Sequence, residues 1–253
     1  METSEHLANL RRDGALLAEA AADAGLDAAL PTCPDWRMRD LLTHIGGVHR
    51  WATGYVGGGR TAMMDDAEAA TVMAAPGDDA LLDWFREGHA RLVDTLSAAK
   101  PDVACWAFLP APTPLAFWAR RQAHETAIHR ADAQAATGEV TPYPPDFAAD
   151  GLDELLRGFF GRPGRVRAEP PRSLHLHATD DDDGNGNREW LVRIDADGVH
   201  TSNEHAKGDC AVRASTSDLY LLMWNRRADD GLAVFGDPGV LDFWRAAAHV
   251  RWA

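Results

Sequence analysis

The side chains best suited to chemistry lie in His124-Glu125-Thr126-Ala127-Ile128-His129-Arg130-Ala131-Asp132. Glu125 and His129 are four residues apart, and Asp132 follows three later. On a helix these spacings put all three on one face, one turn above another. A carboxylate oxygen and an imidazole nitrogen so placed can share one metal ion. A zinc site of the His₂Glu type then needs one more histidine and an open position for water or substrate. Two such residues more often form an ordinary solvated face, so the pair alone does not make a metal site. Asp132 can accept a bond from a ring N–H of His129, or pair with Arg130 or Arg121 as a plain helix salt bridge.

The element that must hold them runs from Leu115 to Ala136 without Gly or Pro. Thr113-Pro114 reads as an N-cap followed by proline at the first helical position, and Gly138 as the stop. Upstream, Ser4 to Ala24 reads as a helix with Leu7, Leu10, Leu17 and Ala21 on one face and Gly25 as its end. Asp35 is expected to cap a second helix reaching about Tyr55, closed by Gly57-Gly58-Gly59. Its apolar stripe is Met38, Leu41, Leu42, Ile45 and Val48. His44 falls on that stripe, while His49 and Arg50 are expected off to the side.

An inward imidazole needs a partner, because an unpaired buried polar group costs on the order of 1–3 kcal/mol. A backbone carbonyl or a buried water is the usual answer. Glu125 and His129, however, also lie on a stripe expected to face other helices. A His, a Glu and a His on inward faces of neighbouring helices are hard to explain as separate accidents. Residues 61–76 read as a flexible connection with room for a short helix. Asp78 is expected to cap a further helix with Leu81, Leu82, Phe85, Leu92, Val93 and Leu96 inward. His89 shares that face and reads as a satisfied core histidine rather than a ligand. Four long helices with uneven connections give a four-helix bundle over residues 1–140, where metal sites are built from facing helices.

Thr141-Pro142-Tyr143-Pro144-Pro145 marks a boundary. Residues 146–253 read as a small α+β unit. A helix spans about Asp146 to Phe160, and strands are expected at Ser173–Ala178, Glu189–Ile194, Cys210–Ala214 and Leu232–Phe235. Ser215 caps a helix over Asp218–Arg227, and Asp237-Pro238 opens the last one. Asp180 to Asn187 is expected to be a solvated hairpin loop, since it lacks the spaced ligands of a calcium loop. His175 and His177 share one strand face. They could bind metal, but an exposed polar face opposite Leu174 and Leu176 accounts for them more simply.

The chain has 253 residues, 45% of them hydrophobic, and a net charge of −14. That balance argues against nucleic acid or an anionic membrane as partner. No apolar run is long enough to cross a bilayer. The acidic N-terminus does not read as a signal peptide. Cys33, Cys105 and Cys210 are far apart, as expected of free thiols in a cytoplasmic chain. The nine Trp read mainly as core. There is no Gly-rich phosphate loop, nucleophile elbow or internal repeat.

Cys33-Pro34-Asp35-Trp36, then Asp40-Leu41-Leu42-Thr43-His44-Ile45-Gly46-Gly47, and His124-Glu125-x-x-x-His129-Arg130-x-Asp132 resemble the mycothiol-dependent maleylpyruvate isomerase family. Ser217-Asp218-Leu219 through Trp224-Asn225-Arg226, then Phe235-Gly236-Asp237, is similar to its C-terminal part. The resemblance implies an α+β chain: a DinB-like four-helix bundle holding a divalent metal, usually zinc, followed by a small C-terminal α/β domain. It implies His44, Glu125 and His129 as metal ligands. It further implies a supporting arginine of the second domain, nearest Arg226 with Arg227 beside it. Asn225 departs from the family, standing where a Gly is common.

A low-molecular-weight thiol is mostly protonated near neutral pH, and a divalent cation deprotonates it. The resemblance implies mycothiol and a small electrophile as partners, whose carboxylate an arginine could hold. The outcome is either cis–trans isomerisation of a maleylpyruvate-like substrate or S-transfer. Two alternatives stay open: a zinc-dependent hydrolase using water, and a non-catalytic metal-binding regulatory bundle with a fourth ligand from His89 or His124.

Overall fold

The computed structural model describes residues 1–180 and 188–250, so most of the Asp180–Asn187 loop lies outside the described residues. The chain divides into two compact units, Met1–Thr141 and Pro142–Ala253. The first is helical: α1 Thr3–Ala24, α2 Met38–Gly58, a short α3 Asp66–Met73, α4 Asp78–Ala98 and α5 Pro114–Ala135. The four long helices pack as a bundle in which α1 meets α5 and α4, and α2 meets α4 and α5. The expected apolar faces are inside. Leu10, Leu17, Leu41, Leu42, Ile45, Phe85 and Leu92 have no exposure at all.

Two caps differ from expectation. Arg37, not Asp35, precedes α2, and its backbone N–H donates to Asp40 Oδ2 at 2.8 Å. The backbone of Arg37 also bridges to Ala29, which holds the chain extended up to that point. Gly77, not Asp78, is the N-cap of α4. Asp78 is the first helical residue, where a carboxylate still favours the positive helix end. On α5 the expected cap is present, with Thr113 Oγ1 accepting from Ala116 N at 3.1 Å.

α5 is buried along nearly its whole length. A helix in that position must pair every polar side chain it carries. Arg130 does so through Gln134 Oε1 at 2.7 Å and the Thr141 carbonyl at 2.6 Å, with Asp13 at 3.4 Å. His49 departs from its expected place. It is fully buried, with Nε2 2.9 Å from Thr126 Oγ1 of α5. The reason is that α2 packs between two neighbours, so its buried arc is wider than one stripe. Gly46 shows how close that packing is, since a Cβ there would overlap the Trp84 ring. His89 reads as expected, with Nε2 3.0 Å from the Leu10 carbonyl.

The second unit opens with α6 Pro145–Asp153, which widens into a π-helical turn at Glu154–Phe159. Among the described residues five strands follow: β1 Arg172–Ala178, β2 Glu189–Ile194, β3 Val199–Ser202, β4 Cys210–Ala214 and β5 Ala233–Gly236. They form a mixed sheet in the order β3-β2-β1-β4-β5, in which β1 and β4 are parallel and the other described pairs antiparallel. Helices α7 Thr216–Met223 and α8 Pro238–Ala247 complete the unit, capped as expected by Ser215 and Asp237. Strand β3 was not expected. His175 corrects a further expectation: it is buried, not part of an exposed polar face.

Candidate metal centre in the helical bundle

Helix α2 brings His44, and α5 brings Glu125 and His129, to one point. His44 Nε2 and His129 Nε2 each lie 3.3 Å from Glu125 Oε1. The two imidazole rings are 5.0 Å apart and nearly perpendicular. Zinc bonds of about 2.0–2.1 Å put tetrahedral ligand atoms ~3.3 Å apart. Both histidine nitrogens therefore already stand at that spacing from the carboxylate oxygen, all three donor atoms lie within 4.8 Å of one another, and the donor types fit a divalent ion.

Each ligand candidate is fixed from behind. Arg121, one turn before Glu125, donates from Nη2 to Glu125 Oε2 at 2.9 Å, which leaves Oε1 facing the histidines. His129 Nδ1 lies 2.9 Å from Asp132 Oδ2, and Thr32 Oγ1 donates to Asp132 Oδ1 at 2.6 Å. Asp132 thus takes the ring N–H of His129, while Arg121 bonds Glu125 and Arg130 bonds Gln134. Trp36 covers the outer side, 5.1 Å from the His44 ring and stacked at 6.1 Å on His129. Glu125, His129 and Asp132 are buried, and His44 is half-buried.

The electrostatics favour positive charge here. Burial pushes the Glu125 carboxyl up, but hydrogen bonds from His129 and His44 and the charge of Arg121 hold it well below the carboxylate range. Burial opposes the His129 imidazolium, yet Asp132 and Glu125 push its pKa up to about 9. A site that stabilises an extra proton between two carboxylates is arranged to accept a cation.

Arg226 sits in the second unit just after α7, with Nη1 donating to the Trp224 carbonyl at 3.0 Å. Arg227 is committed to its own unit. It pairs with Asp218 and donates to the Ala228 and Asp230 carbonyls. Asn225 between Trp224 and Arg226 has φ of 59°, the left-handed region. Glycine takes that conformation freely and asparagine tolerates it, so one physical requirement accounts for the Asn in a Gly position.

Sequence reasoning left Thr32 and the backing role of Arg121 unassigned. Arg121 carries a signal, the i, i+4 spacing to Glu125. Thr32 carries none, being 100 positions from Asp132.

The model of the mycothiol maleylpyruvate isomerase N-terminal domain matches residues 7–134, and that of the family's C-terminal domain matches 146–243. The fold is similar to a crystal structure of mycothiol-dependent maleylpyruvate isomerase, with TM-score 0.61 at 15% identity. It is also similar to that of a histidine-to-alanine mutant, with TM-score 0.63 at 14% identity. Each likeness covers 92% of this chain and 93% of the other, and at these identities it speaks to the fold. Comparison with curated protein sequences gave no match. With both domain models matched in order, the chain belongs to the mycothiol maleylpyruvate isomerase family of enzymes.

Proposed function

We propose that this chain is a metal-dependent, mycothiol-dependent enzyme acting on a small electrophile, with isomerisation of a maleylpyruvate-like substrate or S-transfer as the reaction. One observation carries the reading: two imidazole nitrogens at 3.3 Å from a single oxygen of Glu125, in a chain of this family. His44, Glu125 and His129 would hold the ion, zinc being the first choice for this donor set. When bound, a divalent ion supplies the positive charge that favours a thiolate over a thiol.

The chain's own residues then do the positioning. Arg121 orients Glu125, and Asp132 with Thr32 fixes the tautomer and ring plane of His129. Arg226 is assigned to the substrate carboxylate, where a guanidinium can bond both oxygens. A fourth protein ligand would favour the regulatory reading. Neither His89, which bonds Leu10, nor His124 belongs to the His44–Glu125–His129 group.

The test is turnover of a cis enedioate followed by NMR, with chelated and metal-restored protein, with and without mycothiol. Isomerisation regenerates the thiol, whereas S-transfer consumes one equivalent, so thiol balance separates the two. Activity should require both metal and thiol. Full turnover without thiol would overturn the proposal and favour hydrolysis.

A further inference from the structure

The second unit contains another convergence, independent of the bundle. His175 and His177 lie two apart on β1 and so share a face. Glu189 on β2 stands directly opposite His177 in the antiparallel register. His205 enters from the segment between β3 and β4. Glu189 Oε2 is 2.7 Å from both His175 Nε2 and His205 Nδ1, and its Oε1 is 3.1 Å from His177 Nδ1. One nitrogen from each ring and one oxygen of Glu189 all lie within 4.8 Å of one another.

We propose that His175, His177, Glu189 and His205 form a second metal site, for zinc or a similar divalent transition metal. Three imidazoles and one carboxylate are the donors such ions favour, and four protein ligands close a tetrahedral site of the structural kind. As an ion-pair cluster the arrangement is poor. One carboxylate can neutralise one imidazolium, yet three rings aim a nitrogen at it. The rings also stand edge to face, at 73°, 89° and 75° to one another, as they do when they approach a common centre from different directions. To reach the ~3.3 Å spacing of a tetrahedral zinc set, the 2.7 Å contacts to Glu189 Oε2 would open slightly and the wider ones, none above 4.8 Å, would close.

His175 and Glu189 are buried on paired strands, whereas the His205 side chain is 79% exposed. Its segment is tied down nearby, with Asn203 Nδ2 donating to the Glu189 carbonyl at 2.9 Å and Arg193 Nη2 to Glu204 Oε1 at 3.0 Å. A metal here would clamp residues 203–208 onto the sheet. The reaction assigned to the bundle plays no part in the proposal.

The test uses the full chain, stripped with chelator, loaded with zinc, dialysed and analysed for metal. Wild type should carry one equivalent more than Glu189→Gln. That difference holds whether or not the bundle keeps an ion of its own. His205→Ala, which alters only an exposed ring, should weaken the same equivalent by about tenfold or more, the smallest effect expected of losing a direct ligand. Cobalt titration should show a tetrahedral absorption band that Glu189→Gln reduces. Equal zinc content and equal affinity in wild type and both variants, with unchanged circular dichroism, would overturn the site. If Glu189→Gln does not fold, His205→Ala decides alone.

Discussion

His129 Nδ1 lies 2.9 Å from Asp132 Oδ2, and Asp132 is itself held by the Thr32 hydroxyl at 2.6 Å. The chain of three groups links α5 to the segment that leads into α2, and it points His129 Nε2 at Glu125. Hydrogen-bond partners of this kind change metal affinity or activity by about 10–100-fold when removed. Asp132→Asn should therefore weaken metal binding within that range while the fold persists. Thr32→Val, which leaves the carboxylate but frees it to turn, should have a smaller effect. Titration with a competing chelator measures both. Unchanged affinity in Asp132→Asn would reduce the contact to a structural one.

The metal assignment itself makes a stoichiometric prediction. Because His44 and His129 face the same oxygen of Glu125, losing either should release the bundle's ion. Elemental analysis should find one equivalent fewer in His44→Ala and in His129→Ala than in wild type. Retention of the full complement in both would sink the ligand set.

Much of this site was legible in the sequence, and the reasons are local. Thr113-Pro114 and the long stretch without Gly or Pro fix α5, and the helical period alone brings Glu125 and His129 together. His44 followed from the α2 stripe. His49 did not, because a stripe assumes one packing partner and α2 has two long ones, α4 and α5. The caps at Asp35 and Asp78 were misplaced because several residues before each helix could serve, and only the backbone path selects one. In the second unit β3 is four residues long and too short to show alternation, being defined by its pairing with β2. The meeting of His175, His177, Glu189 and His205 depends on that strand register and on a loop, neither of which leaves a periodic trace.

The two neighbouring arginines after α7 should behave differently. Arg227 bonds within its own unit to Asp218 and to two carbonyls. Its ion pair is partly exposed, so Arg227→Ala should cost only about 0.2–1 kcal/mol of stability and leave turnover largely intact. Arg226→Ala should slow turnover of a carboxylated electrophile and leave metal content unchanged. Steady-state kinetics on a carboxylated substrate and its amide analogue separate the effects. If Arg227→Ala, rather than Arg226→Ala, removes the preference for the carboxylate, the assignment moves by one residue.

Stability should fall with acidification below about pH 6.5, the ordinary histidine value, because of two histidines of the bundle. His49 is held well below that value, first by burial, then by its neighbour His89, with Arg50 and His129 adding to the effect and Glu125 opposing it. His89 is lowered by burial, against the raising effect of its bond to the Leu10 carbonyl. In the unfolded chain both take up a proton near 6.5, and in the folded chain they resist it. The unfolded state therefore binds more protons below pH 6.5, and the contribution of these groups is present above that pH and lost as it falls. Each neutral buried histidine gives a slope of up to about 1.4 kcal/mol per pH unit. His129 works in the other direction and in another window. Its pKa of about 9 makes its contribution complete below 6.5 and lost as pH rises through 9. Urea midpoints of the metal-free protein should therefore fall as the pH is lowered from 6.5 towards 5, and His89→Gln should make that fall shallower. A midpoint that stays constant over that interval would mean that His49 accepts a proton inside the bundle.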